Sequence, residues 1–390
     1  MRLIIFKNFS GIKRFPDRIV VHCSIFCNFA IMFVLDSHCD TPSQLVRLRD
    51  LALDNDHAQL DFPKMRRGGV DGAFFALYTS NSLSVEQGRE KVEEMLRVVD
   101  ACLQANRLTA ALAVTPEEAL ANQKAGLLTV FLGLENGQPI GDDLSMLDYY
   151  HKRGIRYVTL THGNHNQICD SCTPKEARWA GGVSPFGEEV IGRMNELGLL
   201  VDVSHTSAAA TAAALDISAK PIIASHSSCQ ALCAHPRNLS DELIRRIADQ
   251  GGVVQIAFYP EFLDLSFSKM IRGSGLYDWA SDIEDEFIAD PADPAKRAAW
   301  YAAMDRLQTL ERPSWTRIVD HIEHAITVGG IECVGIGSDF DGICVAPEGM
   351  EDCSCMGKIF AELSRRGWSA SDIEKIAGGN FLRCWRENIG

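Results

Sequence analysis

Residues able to do metal chemistry recur at the ends of short apolar runs. In Leu35-Asp36-Ser37-His38-Cys39-Asp40, His38 and Asp40 lie two residues apart. Strand side chains alternate faces, so an imidazole and a carboxylate at that spacing point to the same side and can share a cation. Glu135 closes the run Phe131-Leu132-Gly133-Leu134, where a desolvated carboxylate needs a pairing charge. His205 follows Leu200-Val201-Asp202-Val203-Ser204, and His226 follows Ile222-Ile223-Ala224-Ser225. Each has Ser before it and Ser or Thr after it, groups able to orient an imidazole from behind. Asp339 ends Val334-Gly335-Ile336-Gly337-Ser338. Any one of these alone reads as a hydrogen-bonded core residue. Together, three imidazoles and two carboxylates suit zinc, and a carboxylate placed to bridge suggests two ions.

The elements that must position these groups are legible in the apolar pattern. Strands are expected at 33–37, 72–78, 127–134, 155–161, 199–204, 221–225, 253–258 and 333–338, short and aliphatic as buried parallel strands are. Helices are expected between them, including 84–105, 185–197, 241–250 and 315–327. Eight strands with helical crossovers fit either a closed barrel or a doubly wound sheet. Nearly every strand ends in a chemically capable residue: His38 and Asp40, Glu135, His162, His205, His226 and Asp339. A barrel gathers all its strand ends around one mouth, whereas a doubly wound sheet concentrates chemistry at one switch point. No glycine-rich phosphate loop follows the first strand. The expected fold is therefore an α/β (β/α)8 TIM-type barrel with the metal site at its carboxyl-terminal mouth.

Residues 260–313, with a helix at 297–310, form an insertion expected to pass over that mouth. The tail is expected to carry a helix at 371–377, with GGNFLRCW closing the outer layer. Residues 1–31 mix Lys13, Arg14, Pro16, Asp17 and Arg18 with a short apolar run. That fits neither a cleavable signal nor a membrane span, so they are expected to be a leader or upstream extension before a core domain of 32–390, with a non-cleaved anchor as the alternative.

Bulk properties exclude several classes. Hydrophobic residues make up 46% and charged residues 23%, the profile of a folded protein. A net charge of -14 repels phosphate backbones and anionic lipid, so neither nucleic acid nor membrane is an expected partner. Thirteen cysteines, among them Cys169/Cys172 and the distant Cys353/Cys355, give no disulfide framework or zinc knuckle and read as reduced thiols of a cytoplasmic protein. His321 and His324 have ligand spacing on a helix but precede the eighth strand, which places them in the outer ring. His57, His151, His165 and His235 are likewise read as structural, with His165 near enough to His162 to reach the rim.

The segments DSHCDTP, DFPKMRRGGVDGAFFALYT, GLENG, IRYVTLTHGNHN, GGVSPFGEEVIGRMNELGLLVDVSHTS, PIIASHSS, HPRNLSD, GIGSDFDG and GGNFLR closely resemble, in order, the motif series of the membrane (renal) dipeptidase family. The resemblance spans about residues 33–383. It implies two zinc ions per chain, with His38 and Asp40 on the first, His205 and His226 on the second and Glu135 bridging. A hydroxide shared by the two ions would attack the peptide carbonyl. His162 would contact that carbonyl, Arg237 would grip the substrate carboxylate, Tyr259 would line the substrate, and Asp339 would be the acid/base. A dipeptide substrate, either L-L or with a D-residue accepted at its carboxyl end, and a homodimer follow by the same resemblance. One departure is Asn136-Gly137, where the family often has two glycines; the leader is another. The rival expectations are a related binuclear amidohydrolase acting on N-acyl amino acids, lactones or phosphoesters, and a non-catalytic binding protein on the same barrel. H-x-D with Glu135, rather than H-x-H with a modified lysine, favours the dipeptidase.

Overall fold

The computed structural model describes residues 32–390, which form one compact unit. The expected leader 1–31 lies outside the described residues. Nine strands follow one another: β1 (Leu35–Cys39), β2 (Gly72–Tyr78), β3 (Ala110–Leu112), β4 (Leu128–Glu135), β5 (Ile155–Thr159), β6 (Leu200–Asp202), β7 (Ile223–Ala224), β8 (Val253–Ile256) and β9 (Val334–Ile336). All pairings are parallel, in the order β1-β2-β4-β5-β6-β7-β8-β9. The ring closes where Cys39 bridges Phe340: the Asp40 N–H donates to the Phe340 carbonyl at 2.9 Å, and the Asp339 N–H to the His38 carbonyl at 3.0 Å. The Asp36 carboxylate reinforces this seam by accepting from the Ser338 N–H at 2.8 Å. The fold is the expected (β/α)8 TIM-type barrel.

Three features depart from the sequence expectation. β3 is an additional strand, paired to the first half of β4 ahead of β5. Its Ala-Ala-Leu is too short and too poor in β-branched residues to announce itself. β6 and β7 are shorter than their apolar runs because a side chain replaces the backbone ladder near the mouth. The Asp202 carboxylate accepts from the Ser204 and Ser225 amides at 3.0 and 2.8 Å. Finally, GGNFLRCW does not close the outer layer. The helix Asn380–Ile389 sends Phe381 and Trp385 into the interior cluster formed by Leu35, Phe74, Phe131, Tyr157, Leu200, Ile223 and Val253. The reason is geometric: the strands begin there, and an open barrel end lined by apolar residues needs an apolar plug. Gly378 allows the approach, since a Cβ there would lie 2.4 Å from the Phe33 carbonyl oxygen.

The crossover helices start where short polar side chains cap them. Ser84 forms a reciprocal capping box with Gln87, while Ser184, Ser207 and Ser240 each accept from an N3 amide. The insertion folds into four helices: Pro260–Leu263, Leu265–Ser274, Leu276–Ala289 and Pro294–Gln308. Among the contacts that tie it to the barrel, Arg47 pairs with Glu284 at 2.7 Å, and the His57 ring stacks on Tyr301 at 4.1 Å. Among the described residues, no helix is long and apolar enough to cross a membrane.

Candidate metal and substrate site

The strand ends converge as the fold requires. Glu135, at the end of β4, lies at the centre: its carboxylate oxygens are 3.4 Å from His38 Nε2, 3.2 Å from His205 Nε2, and 3.7 Å from both His162 Nε2 and His226 Nε2. Asp40 Oδ2 lies 3.7 Å from His38 Nε2. Three sets of groups come close enough to hold a cation: His38, Glu135 and His226; Glu135, His162 and His205; and His38, Asp40 and Asp339. His205 Nε2 and His226 Nε2 are only 2.9 Å apart, so two imidazoles aim at nearly one point.

The imidazoles are held from behind. His38 Nδ1 faces the Tyr157 hydroxyl at 2.8 Å, and His226 Nδ1 faces the Ser225 hydroxyl at 2.8 Å. Ser225 in turn donates to Asp202 Oδ2 at 2.6 Å, as does Thr159. Engaging Nδ1 leaves Nε2 as the nitrogen that faces the cluster. His38 Nε2 is buried and has no hydrogen-bond partner among the described residues. A buried ring nitrogen ringed by carboxylates and otherwise unsatisfied fits a cation ligand. The serines act as the sequence suggested, with one difference: Ser204 accepts from the His226 amide at 3.0 Å and so orients His226 rather than His205.

The electrostatics fit the same arrangement. Burial disfavours a charged imidazole throughout the cluster. With Arg237 adding its own charge, burial lowers His162 to about 3 and holds His205 well below the usual range. His226 is also held well below it, by burial and then by His38. At His38 burial acts in the same direction, but the Glu135 and Asp40 carboxylates overcome it and raise the group well above its ordinary value. Burial and then Glu135 push Asp40 up to about 6. Burial raises Asp339 well above the carboxylate range, opposed by His38 and reinforced by Asp40 and Glu135. Three imidazoles kept neutral, and a fourth held among crowded carboxylates, are a donor set that a divalent cation stabilises.

The backbone is strained at the same place. Asn136, His205 and Asp339 have φ of 81°, 67° and 66°. Such left-handed positions are uncommon for residues other than glycine and cluster at functional sites. Asn tolerates this region better than most residues, and its amide anchors it by donating to the Thr79 carbonyl at 2.9 Å. Asn136 can therefore stand where glycine is the usual choice. Gly342 is required by space: a Cβ there would lie 2.1 Å from Asp40 Oδ2 and 2.8 Å from Asp339 Oδ1.

A cavity of about 750 Å³ opens onto the cluster, lined in part by Tyr78, His162, Arg237, Tyr259 and Asp339. Arg237 is buried over the Phe262 ring, with its Cζ 5.2 Å from the centroid. One of its nitrogens donates to the His226 carbonyl at 3.1 Å, while Nε and Nη1 have no partner among the described residues. An unpaired buried guanidinium facing a cavity is a ready receptor for a carboxylate. Tyr259 lines the cavity with its hydroxyl given to Glu261 at 2.6 Å.

The remaining histidines divide. His165 accepts from the Ser171 amide at 3.0 Å and orders the loop after His162, so it is structural. His321 is buried, with Nδ1 accepting from the Cys229 amide at 3.0 Å, and His324 pairs with Asp241 at 2.8 Å. His235 departs from the structural reading, because it lines the cavity and packs on Phe262 with ring centroids 4.8 Å apart. The cysteines of the described residues are free, Cys169, Cys172, Cys353 and Cys355 included. Sequence reasoning missed Tyr157, Asp202 and Tyr78. The first two sit on inward positions of their strands, and only that alternation marked them.

Comparison with known proteins agrees with this geometry. Residues 29–389 match the model of the membrane dipeptidase family, peptidase family M19. The dipeptidase aclJ of Aspergillus oryzae is 32% identical over 337 residues, 84% of this chain and 69% of the relative. An uncharacterized dipeptidase of Schizosaccharomyces pombe is 28% identical over 381 residues, 92% of this chain and 81% of the relative. Among solved structures, the probable dipeptidase PvdM from Pseudomonas aeruginosa superposes with a TM-score of 0.77 at 27% identity, over 95% of this chain and 98% of that one.

Proposed function

Since this chain belongs to the membrane dipeptidase family, peptidase family M19, and is a metallo-dipeptidase, we propose that it cleaves dipeptides with two zinc ions held by His38, Asp40, Glu135, His205 and His226. The observation that carries this reading is Glu135, one carboxylate within 3.7 Å of four imidazole nitrogens. In it, His38 and Asp40 would hold one ion, His205 and His226 would hold the other, and Glu135 would contribute to holding each. Such ions supply Lewis-acid polarisation of the scissile carbonyl and lower the pKa of water.

The chain's own groups do the rest. Arg237 takes the substrate carboxylate through its free Nε and Nη1, which fixes the distance from carboxylate to scissile bond and so selects dipeptides. His162, half-open to the cavity, donates towards the carbonyl oxygen as negative charge develops there. Asp339 accepts the proton of the attacking water on its carboxylate and delivers it to the nitrogen of the departing amine. Tyr259 walls the substrate with its ring. A homodimer is proposed on family grounds, and the mass in solution decides it.

The test is a panel of dipeptides, some with a D-residue at the carboxyl end, assayed beside N-acyl amino acids, lactones and phosphoesters. Dipeptide turnover lost on Asp339→Asn supports the assignment. Turnover confined to the other classes transfers the site to a related amidohydrolase chemistry. Turnover of none by folded, zinc-loaded protein leaves a binding protein.

A further inference from the structure

One buried side chain outside the cluster ties together the two segments that carry Asp40 and Asp339. At the seam of the barrel the Asp40 N–H donates to the Phe340 carbonyl. Past it, the chain enters the helix Thr41–Val46 on one side and, on the other, a turn in which the Gly342 N–H donates to the Asp339 carbonyl at 3.1 Å. Asp341, in that turn, bridges the two. Its carboxylate accepts from the Thr41 hydroxyl at 2.8 Å, from Arg49 Nη1 at 2.6 Å and from the Gln59 amide at 3.2 Å. Its own amide donates to Gln59 Oε1 at 2.6 Å, and its carbonyl accepts from Gln44 Nε2 at 3.2 Å. Both backbone polar groups of Asp341 and its carboxylate are thus engaged, all by residues of the stretch 41–59.

These contacts lie where they act on the site. Thr41 directly follows Asp40, and Asp341 stands two residues after Asp339. Aspartate is a favoured helix cap, yet Asp40 makes no side-chain cap on Thr41–Val46, and its carboxylate lies 3.7 Å from His38 Nε2 instead. Asp341 anchors the first turn of that helix, through Thr41 and Gln44. Asp339 and Asp341 both hold left-handed backbone, with φ of 66° and 67°, a conformation that persists where the surroundings impose it. The contacts of Asp341 impose it here. The Asp40 and Asp339 carboxylates meet beside Gly342, so a shift of the turn against the helix moves one carboxylate relative to the other. The Arg49–Asp341 pair is shielded, with side chains 7% and 1% exposed, and solvent weakens it far less than a surface pair.

We propose that Asp341, held by Arg49, is a positioning residue that fixes the Asp339 carboxylate relative to Asp40 and to the cation that Asp40 would hold. The part concerning Asp339 rests on the dipeptidase reading; the part concerning Asp40 rests only on its being a metal ligand.

The experiment uses full-length protein and two mild variants. Asparagine keeps the shape of Asp341 and tolerates left-handed backbone, so Asp341→Asn removes the charge and spares the turn. Thr41→Val removes one hydroxyl at nearly unchanged shape. For Ala-Ala and Leu-Ala on zinc-saturated protein, kcat in Asp341→Asn should fall about tenfold or more while KM stays within about threefold. Thr41→Val should lower kcat by less, and the double variant should be no worse than Asp341→Asn alone, as two ends of one contact require. Arg49→Ala should behave like Asp341→Asn, and Arg49→Lys should recover part of the loss. Competition with a chelator should show the zinc site that Asp40 serves weakened about tenfold in Asp341→Asn. A purely structural role would lower the thermal midpoint and leave both kcat and zinc affinity of the folded protein at parent values. Either quantity unchanged in both Asp341→Asn and Thr41→Val overturns the proposal, and Thr41→Val decides alone if Asp341→Asn does not fold. If the parent protein cleaves neither dipeptide, the dipeptidase reading falls separately and the zinc affinities alone decide the positioning of Asp40.

Discussion

Tyr157→Phe removes a single oxygen from behind the metal cluster. The Tyr157 hydroxyl lies 2.8 Å from His38 Nδ1, the closest partner that nitrogen has, with Ser225 Oγ next at 3.4 Å. Burial, and then Asp202 and Glu135, raise the phenol well above its ordinary range, so it stays neutral and acts as a hydrogen-bonding group only. The ring itself is fixed independently, 5.1 Å from Phe74 and filling the space that a Cβ on Gly133 would occupy. Phe keeps that packing, so the fold should be retained. Leaving one buried polar atom short of its partner costs about 1–3 kcal/mol, and each ~1.4 kcal/mol is tenfold in affinity. Loss of an orienting partner behind a ligating imidazole weakens metal binding by about 10–100-fold, which agrees. Competitive zinc titration against a chelator of known affinity measures it. The site that His38 serves should weaken within that range while the thermal midpoint of chelated protein moves little. Zinc affinity equal to the parent protein would refute the claim that His38 is a ligand oriented through Nδ1.

Further changes test other parts of the site. Gly342→Ala places a methyl against the Asp40 and Asp339 carboxylates, and kcat/KM should fall about a hundredfold or more, since misplacing reacting groups by an ångström is that costly; full activity would show that these carboxylates tolerate displacement. Arg237→Lys loses the planar fork, so KM for dipeptides should rise about tenfold or more with a smaller effect on kcat, and an unchanged KM would end its role as carboxylate receptor. His321, lowered to about 4 mainly by burial, makes stability depend on pH. The unfolded chain takes up the proton near pH 6.5 and the folded chain only near 4, so stability should fall as pH drops through that window, by up to about 3 kcal/mol. Urea midpoints at pH 7 and pH 4.5, compared between parent and His321→Gln, should show a smaller drop in the variant; equal drops would exclude this group.

The sequence carried the site better than it carried the architecture around it. His38, Glu135, His205, His226 and Asp339 were legible because each ends a short apolar run, where side chains must meet if the runs are parallel strands. The barrel followed from the same residues, since only a closed ring brings those ends together. What orients the imidazoles was partly hidden. Ser225 could be read from adjacency, but Tyr157 reaches His38 from β5 across the barrel interior, and Asp202 acts through Ser225 from the next strand, contacts that exist only once the ring is closed. β3 escaped because Ala-Ala-Leu has no strand preference of its own and is held by β4. The tail helix was misplaced because Phe381 and Trp385 look like any amphipathic face until the open end of the barrel is present to receive them. His235 read as structural because its place beside Arg237 in the cavity depends on how that loop turns.

Metal-dependent dipeptide hydrolysis is tested most directly by restoring zinc to stripped protein while following dipeptide cleavage. Chelated protein should remain folded and inactive. Turnover should return on titration and saturate at two equivalents per chain. Folded protein that is saturated with zinc and cleaves no dipeptide, or that cleaves equally well when stripped, would contradict the account.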